Sequence, residues 1–205
     1  MVLDLRFNPG GLLPSAVNLA DMFLEKGTVV STRGRSSPEQ VFETHSQDIL
    51  MDCPMVVLVN QYSASASEIV TGALKDHERA LIVGETTFGK GSVQSIMPLK
   101  NNKGAFKLTT ARYYTPSGIC IEDKGIKPHV QITLSDKENR KLARHLSQLP
   151  RYNEGKSKGK EKEKKQNEKN KTEEKFKDVQ LQRAIDMLKA LLIEQGKTPA
   201  ESKAA

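Results

Sequence analysis

Residues 54–60, Pro-Met-Val-Val-Leu-Val-Asn, form an unbroken apolar run of strand length. A strand with one wet face alternates apolar and polar residues. This run does not alternate, so both its faces need cover, as in a parallel sheet with helices on either side. Leu81-Ile82-Val83-Gly84 is a second such strand, and Val2-Leu3-Asp4-Leu5 reads as a third. A helix from about Ser65 to Lys75 separates the first two. Another runs from about Pro14 to Glu25. Pro14 suits its first turn, Ala16, Leu19, Ala20 and Phe23 share a face, and Gly27 ends it. Thr28–Thr32 reads as a short strand and residues 33–48 as a polar loop. Strand-like runs at Ser92–Met97, Phe106–Tyr114 and His129–Thr133 add a more antiparallel portion toward residue 134. The expected class is α/β, mixed α+β in its later part.

Charge narrows the function classes. The chain of 205 residues carries a net +7, unevenly placed. Residues 1–150 hold 17 Lys+Arg against 15 Asp+Glu, whereas residues 151–178 hold 11 against 7. The part able to fold is nearly neutral, which argues against a nucleic-acid-binding face. The 151–178 stretch is low-complexity Lys/Glu/Asn/Gly and reads as disordered or as a solvated helix. No run approaches roughly 18 apolar residues, so no membrane span is visible. No basic segment followed by an apolar one opens the chain, so no signal peptide is visible either. Cys53 and Cys120 make no disulfide framework, and without CxxC or HExxH no metal is expected. Leu181, Ala184, Ile185, Leu188, Leu191 and Leu192 recur at helical spacing, closed by Gly196 and Pro199. That stripe must dock on the chain's own core or on another copy.

The densest polar group is Asn60-Gln-Tyr-Ser63-Ala-Ser65-Ala-Ser67-Glu68, where a buried strand gives way to a helix. Such a turn exposes a side chain at the carboxyl edge of the sheet and aims free backbone N–H groups at it. A serine there has a partly built oxyanion hole but still needs a base. No histidine is well placed, since His77 lies two to three helical turns beyond. Lys90, between Gly89 and Gly91, is the other candidate base. Its glycines let the backbone approach another element, and burial that disfavours the ammonium would free the amine. Gln94, four residues on, could hold that amine without adding charge. Asn8-Pro9-Gly10-Gly11 presents backbone N–H groups to an anion or a developing oxyanion. Each feature has a plain alternative. A Ser/Ala run at a helix start is ordinary capping, and Asn-Pro-Gly-Gly is an ordinary turn. Gly-Lys-Gly suggests a phosphate loop, but Gly84 stands one residue too close and Gly91 replaces the Ser or Thr.

Together, LDLRFNPGG (3–11), VNQYSASASEIVTGALKDHERA (59–80), GETTFGKGSVQ (84–94) and LTTARYYTPSG…GIKP (108–128) resemble the carboxy-terminal processing protease family, also called tail-specific proteases. The order and spacing match over about residues 2–134. The resemblance implies a ClpP/crotonase-like layered sheet-and-helix protease core. It implies Ser65 as nucleophile, Lys90 as general base and Gln94 as the residue that orients the lysine. The N–H groups of Ala66 and Gly11, with Gly10 as second choice, would form the oxyanion hole, and Asp76 would support the site. The implied reaction is endoproteolysis of protein substrates recognised near their C-terminus, through an acyl-enzyme, with no metal or organic cofactor. The implied location is the cell envelope, usually the periplasm. Cys120, Glu122 and His129 depart from the family's usual residues and look peripheral.

Relatives carry a PDZ domain and the first part of the protease core upstream. Because the chain opens in a strand, it reads as the C-terminal part of such a core, truncated at its N-terminus. The expected layout is a core over 1–135, a polar Lys/Glu-rich linker over 136–178, an amphipathic helix over 179–196 and a flexible tail over 197–205. The terminal helix resembles a segment that some relatives use to form homodimers. The competing function is a non-catalytic remnant or adaptor that keeps the fold and acts through this helix.

Overall fold

The computed structural model describes residues 1–35, 38–45, 53–99, 104–149 and 177–196. In chain order the elements are β1 (Val2–Asp4), α1 (Leu13–Asp21), β2 (Thr28–Gly34), β3 (Gln40–Glu43), β4 (Val56–Val59), α2 (Ala66–Asp76), β5 (Leu81–Gly84), β6 (Ser92–Pro98), β7 (Ala105–Tyr114), β8 (Val130–Gln131), α3 (Asp136–Gln148) and α4 (Val179–Glu194). Among the described residues, those of Met1–Thr133 and of 180–196 form one compact unit, and those of Leu134–Val179 a second.

The first unit holds a parallel sheet in the order β1-β4-β5-β8. All four residues of β4 are buried. Val57 and Val59 pack with Ala16, Val17 and Ala20 of α1 and with Ile69, Val70 and Ala73 of α2. Val56 and Leu58 pack on the opposite face with Ala184, Leu181 and Leu188 of α4. Successive side chains of a strand alternate between faces, so two covered faces account for the unbroken apolar run. A second, antiparallel sheet has the order β3-β2-β7-β6, and its Val29 and Val30 join the α1–α2 side of the core. Among the described residues no helix is long and apolar enough to cross a membrane.

Of the two docking options for the α4 stripe, the chain's own sheet takes Leu181, Ala184 and Leu188. Other expectations change. Strand β1 lies at the edge of its sheet, with Val2 and Leu3 half-buried and Asp4 exposed. Helix α1 stops at Asp21, although Phe23 and Leu24 remain buried in the turn that follows. Strand β3 falls inside the stretch read as a polar loop. It pairs with β2, but of its four side chains only Phe42 packs, half-buried, against the core, so it leaves too short a hydrophobic pattern to read. Strand β8 is two residues long, shorter than the 129–133 run.

In the second unit, α3 occupies part of the segment read as a linker. Its composition is polar, yet its start is well specified. The Ser135 N–H donates to Glu138 Oε2 at 2.8 Å, and the Glu138 N–H donates to Ser135 Oγ at 3.4 Å. This reciprocal capping box has the readable pattern Ser-x-x-Glu. Of the linker expected over 136–178, residues 150–176 lie outside the described residues, as does the tail expected over 197–205.

His129 ties β5 at its start. Its N–H donates to the Ile82 carbonyl at 2.8 Å, and its Nδ1 accepts the Ile82 N–H at 3.0 Å. Burial, and secondarily the charge of Lys75, push the imidazole below its ordinary 6.5. The folded chain therefore takes up this proton less readily than the unfolded chain. Stability from this group is present above pH 6.5 and is lost as pH falls below it. Denaturant midpoints measured on either side of that value should fall in acid, and should fall less in His129→Asn. Leu58 is fully buried, so Leu58→Ala should cost about 2–5 kcal/mol in urea unfolding, through lost transfer energy plus the cavity left behind.

Candidate functional site

Three loops leave the carboxyl ends of β1, β4 and β5. These strands are adjacent and parallel, so segments far apart in sequence emerge side by side at one edge of the sheet. In open α/β sheets this edge is where ligands bind. The Asn8–Gly11, Asn60–Glu68 and Gly84–Gly91 motifs are gathered there.

The middle loop distinguishes its three serines. Ser63 is fully buried, and its Oγ donates to the Leu5 carbonyl at 2.8 Å and accepts the Asn60 N–H at 3.0 Å. Ser67 is buried, and its Oγ donates to the Asn8 carbonyl at 3.1 Å. Both hydroxyls are committed to structure. Ser65 alone of the three is half-buried, standing just before α2. Its backbone sits at φ 57°, ψ −118°. A non-glycine residue at positive φ is strained by about 1–3 kcal/mol, which the surrounding bonds must offset. Ala66 opens α2, and its N–H has no hydrogen-bond partner among the described residues.

The bonds that hold this turn converge on Glu68, which is fully buried. Its Oε2 accepts the N–H of Ser65 at 2.8 Å and that of Lys90 at 2.8 Å. Its Oε1 accepts the N–H of Gly89 at 2.6 Å and the Thr87 hydroxyl at 2.6 Å. One carboxylate therefore pins the serine turn and the lysine loop to each other. Sequence reading placed Glu68 in the polar group without giving it a role. The Ser65-x-x-Glu68 spacing was the available signal, since a glutamate three residues into a helix reaches back to the cap N–H.

The third loop is fastened over the serine turn. The Asn8 carbonyl accepts the Ala64 N–H at 3.0 Å as well as the Ser67 hydroxyl. Gly10, at φ +95°, is so close that an added Cβ would lie 2.7 Å from the Ala66 nitrogen. Its own N–H is taken by Asn8 Oδ1 at 2.9 Å. The Gly11 N–H has no partner among the described residues. Of the two glycines read as oxyanion donors, Gly11 is thus the one with a hydrogen to give.

Lys90 is brought to the site by its backbone, but its side chain is exposed, contrary to the burial a lysine base requires. Among the described residues no hydrogen bond joins it to Ser65 or to Gln94. Gln94 is exposed on β6, just past a register shift, opposite Thr109. Asp76 sits at the far end of α2, about 15 Å from Ala66 at 1.5 Å of rise per residue. Its Oδ2 accepts the Ser117 N–H at 2.9 Å, which braces the 115–118 turn. His77 Nε2 lies 2.7 Å from the Thr28 carbonyl, away from Ser65. Glu122 is closer to the site than the sequence suggested, accepting the Gly91 N–H at 2.6 Å, one residue from Lys90. A cavity of about 1140 Å³ lies at the opposite, amino end of β4 and β5, lined in part by Met55, Ala80 and His129, and shares no residue with these loops. Among the described residues no three His, Cys, Asp or Glu side chains gather as a metal-binding group.

Glu68→Gln should destabilise the chain by about 2–4 kcal/mol, because an amide turns an NH₂ toward donors that the carboxylate accepts. Chemical denaturation measures this, and a change within about 0.5 kcal/mol would show that the clamp is not needed.

Residues 1–132 match the family model described as Peptidase family S41. A carboxy-terminal-processing protease of Bartonella bacilliformis is 55% identical over 132 residues, covering 64% of this chain and 30% of the relative. The chloroplastic C-terminal processing peptidase of Tetradesmus obliquus is 43% identical over 132 residues, covering 64% of this chain and 28% of the relative. The solved photosystem II D1 C-terminal processing protease is 43% identical at a TM-score of 0.61, over 64% of this chain and 34% of that one. The chain therefore spans about 30% of the length of the curated relatives it matches. With the family model covering well over half of its residues, the chain belongs to peptidase family S41.

Proposed function

We propose that the site is a serine-type endopeptidase centre in which Ser65 is the nucleophile and Lys90 the general base, acting on protein substrates near their C-termini. The observation that carries this reading is the sharing of Glu68 Oε2 by the N–H groups of Ser65 and Lys90, each at 2.8 Å. It holds the two reacting residues on one buried anchor. In the proposed reaction Ser65 Oγ attacks the peptide carbonyl carbon while its proton passes to Lys90 Nζ. The N–H groups of Ala66 and Gly11 stabilise the oxyanion. The intermediate collapses with the C–N bond breaking, and Lys90 returns the proton to the leaving amine. Water then attacks the acyl-enzyme by the same route. Lys90 is exposed in the free chain, so the substrate itself supplies the cover that disfavours the ammonium. Gln94 orients the amine once the lysine is covered. The proposed setting is the cell envelope, on the family resemblance.

A second reading is a retained fold without catalysis, favoured by the exposed Lys90 side chain and its lack of a hydrogen bond to Ser65 among the described residues. Cleavage of an unstructured protein with an apolar C-terminus separates the two. Ser65→Ala should abolish it while changing stability by no more than about 0.5–2 kcal/mol, the range for a helix-cap serine. Lys90→Arg should be as inactive as Lys90→Ala, because a guanidinium stays charged. Cleavage that survives in Ser65→Ala or in Lys90→Arg overturns the dyad.

A further inference from the structure

The first turn of α4 reaches the loop that carries Gly11. Gln180 is fully buried, although it lies outside the residues 1–132 matched by the family model. Its Oε1 accepts from Arg6 Nη1 at 3.1 Å, and its Nε2 donates to the Ile132 carbonyl at 2.7 Å. The Arg6 side chain has no solvent exposure. Its Nη2 pairs with Asp4 Oδ2 at 2.7 Å, and its Nε donates to Asp4 Oδ1 at 3.0 Å. A buried guanidinium needs acceptors around its fork, because each unmet N–H carries a desolvation cost. Asp4 approaches from the edge strand and Gln180 from the helix.

Arg6 sits at the corner of a tight turn. The Asn8 N–H donates to the Leu5 carbonyl at 3.2 Å, and Phe7 between them has φ 58°. The Phe7 ring stacks on Tyr62 at 5.2 Å between centroids, and its N–H donates to Asn60 Oδ1 at 3.0 Å. Phe7 thus faces the serine loop while Arg6 is held by the C-terminal helix. Three residues further on, Gly10 packs against Ala66, and Gly11 offers its free N–H. Movement of Arg6 moves the start of this loop.

We propose that Gln180 is a positioning residue. Through Arg6 it holds the backbone of residues 7–11 against the Ser65 turn, so the C-terminal helix sets the oxyanion donor. The catalytic part of this inference rests on the Ser65 reading above; the mechanical part does not. Gln180→Met keeps length and packing and removes both polar bonds. Gln180→Glu keeps an acceptor for Arg6 and loses only the donor to the Ile132 carbonyl, so it isolates the Arg6 bond. Leu188→Ala thins the apolar contact of α4 and leaves both Gln180 bonds in place.

Two measurements on the full chain test it. The first is hydrogen–deuterium exchange at the bonded amides within residues 7–11, those of Phe7, Asn8 and Gly10, which needs no activity. Gln180→Met should exchange there about tenfold faster than the parent chain, while Gln180→Glu and Leu188→Ala stay close to it. The second is inactivation by a peptidyl diphenyl phosphonate that labels Ser65. Gln180→Met should lower the maximal labelling rate with little change in the half-saturating concentration, and Gln180→Glu should restore it. Unchanged exchange at 7–11 in Gln180→Met overturns the proposal. So does equal loosening in Leu188→Ala, which would make the effect one of packing, or failure of Gln180→Glu to rescue. If the parent chain is not labelled at Ser65, the endopeptidase reading fails, and the exchange comparison still decides whether Gln180 holds the loop.

Discussion

The site depends on one buried carboxylate. Glu68 receives three backbone N–H groups and one hydroxyl from two separate loops. A buried charge without partners would oppose folding by several kcal/mol. Here each oxygen is matched by two donors, so the same desolvation that makes an unpaired carboxylate costly makes this arrangement exclusive. The serine turn, strained at positive φ, and the lysine loop are held in one geometry because any other leaves the carboxylate under-satisfied.

That clamp works only because the sheet delivers the loops to it. Strands β1, β4 and β5 are neighbours and run the same way, so their carboxyl ends form a common edge. Backbone approaches there are close enough to require glycine. At Gly84, which has φ +129°, an added Cβ would collide with the Val59 carbonyl oxygen. At Gly91 it would collide with the backbone nitrogen of Glu122. The two helical layers make β4 apolar on both faces, which gives the site a rigid floor. The C-terminal helix belongs to this floor, and through Gln180 and Arg6 it also touches the mouth.

Much of the architecture was legible in local pattern. Runs buried on both faces announced β4 and β5, and the alternation of strand and helix announced the layer. Strand β3 was missed because only Phe42 of its four side chains packs on the core, and α3 because its polar composition outweighed the readable Ser-x-x-Glu box at its start. The site was legible as a set of motifs rather than as an arrangement. Residue chemistry alone does not rank Ser63, Ser65 and Ser67, and only the family resemblance singled out Ser65. Ser63 is tied to Leu5 and Ser67 to Asn8, whereas Ser65, half-buried at the cap of α2, has no side-chain bond to a distant segment among the described residues. The resemblance ranked Gly11 above Gly10, and the structure adds a physical reason, since Asn8 Oδ1 takes the hydrogen of Gly10.

The sequence by itself determined what local periodicity and residue chemistry encode: the β4 and β5 runs that need two covers, the starts of α1 and α2, the turn glycines, and the serine, lysine and glycine motifs in family order. These are properties of neighbours along the chain, and a window of a few residues carries them. Tertiary structure decided which serine stays open, which glycine N–H stays free, that Glu68 joins two loops, that Lys90 is exposed in the free chain, and that α4 reaches Arg6. Each of these depends on a partner distant in sequence, brought into hydrogen-bond range only when the parallel strands align and the core closes around them.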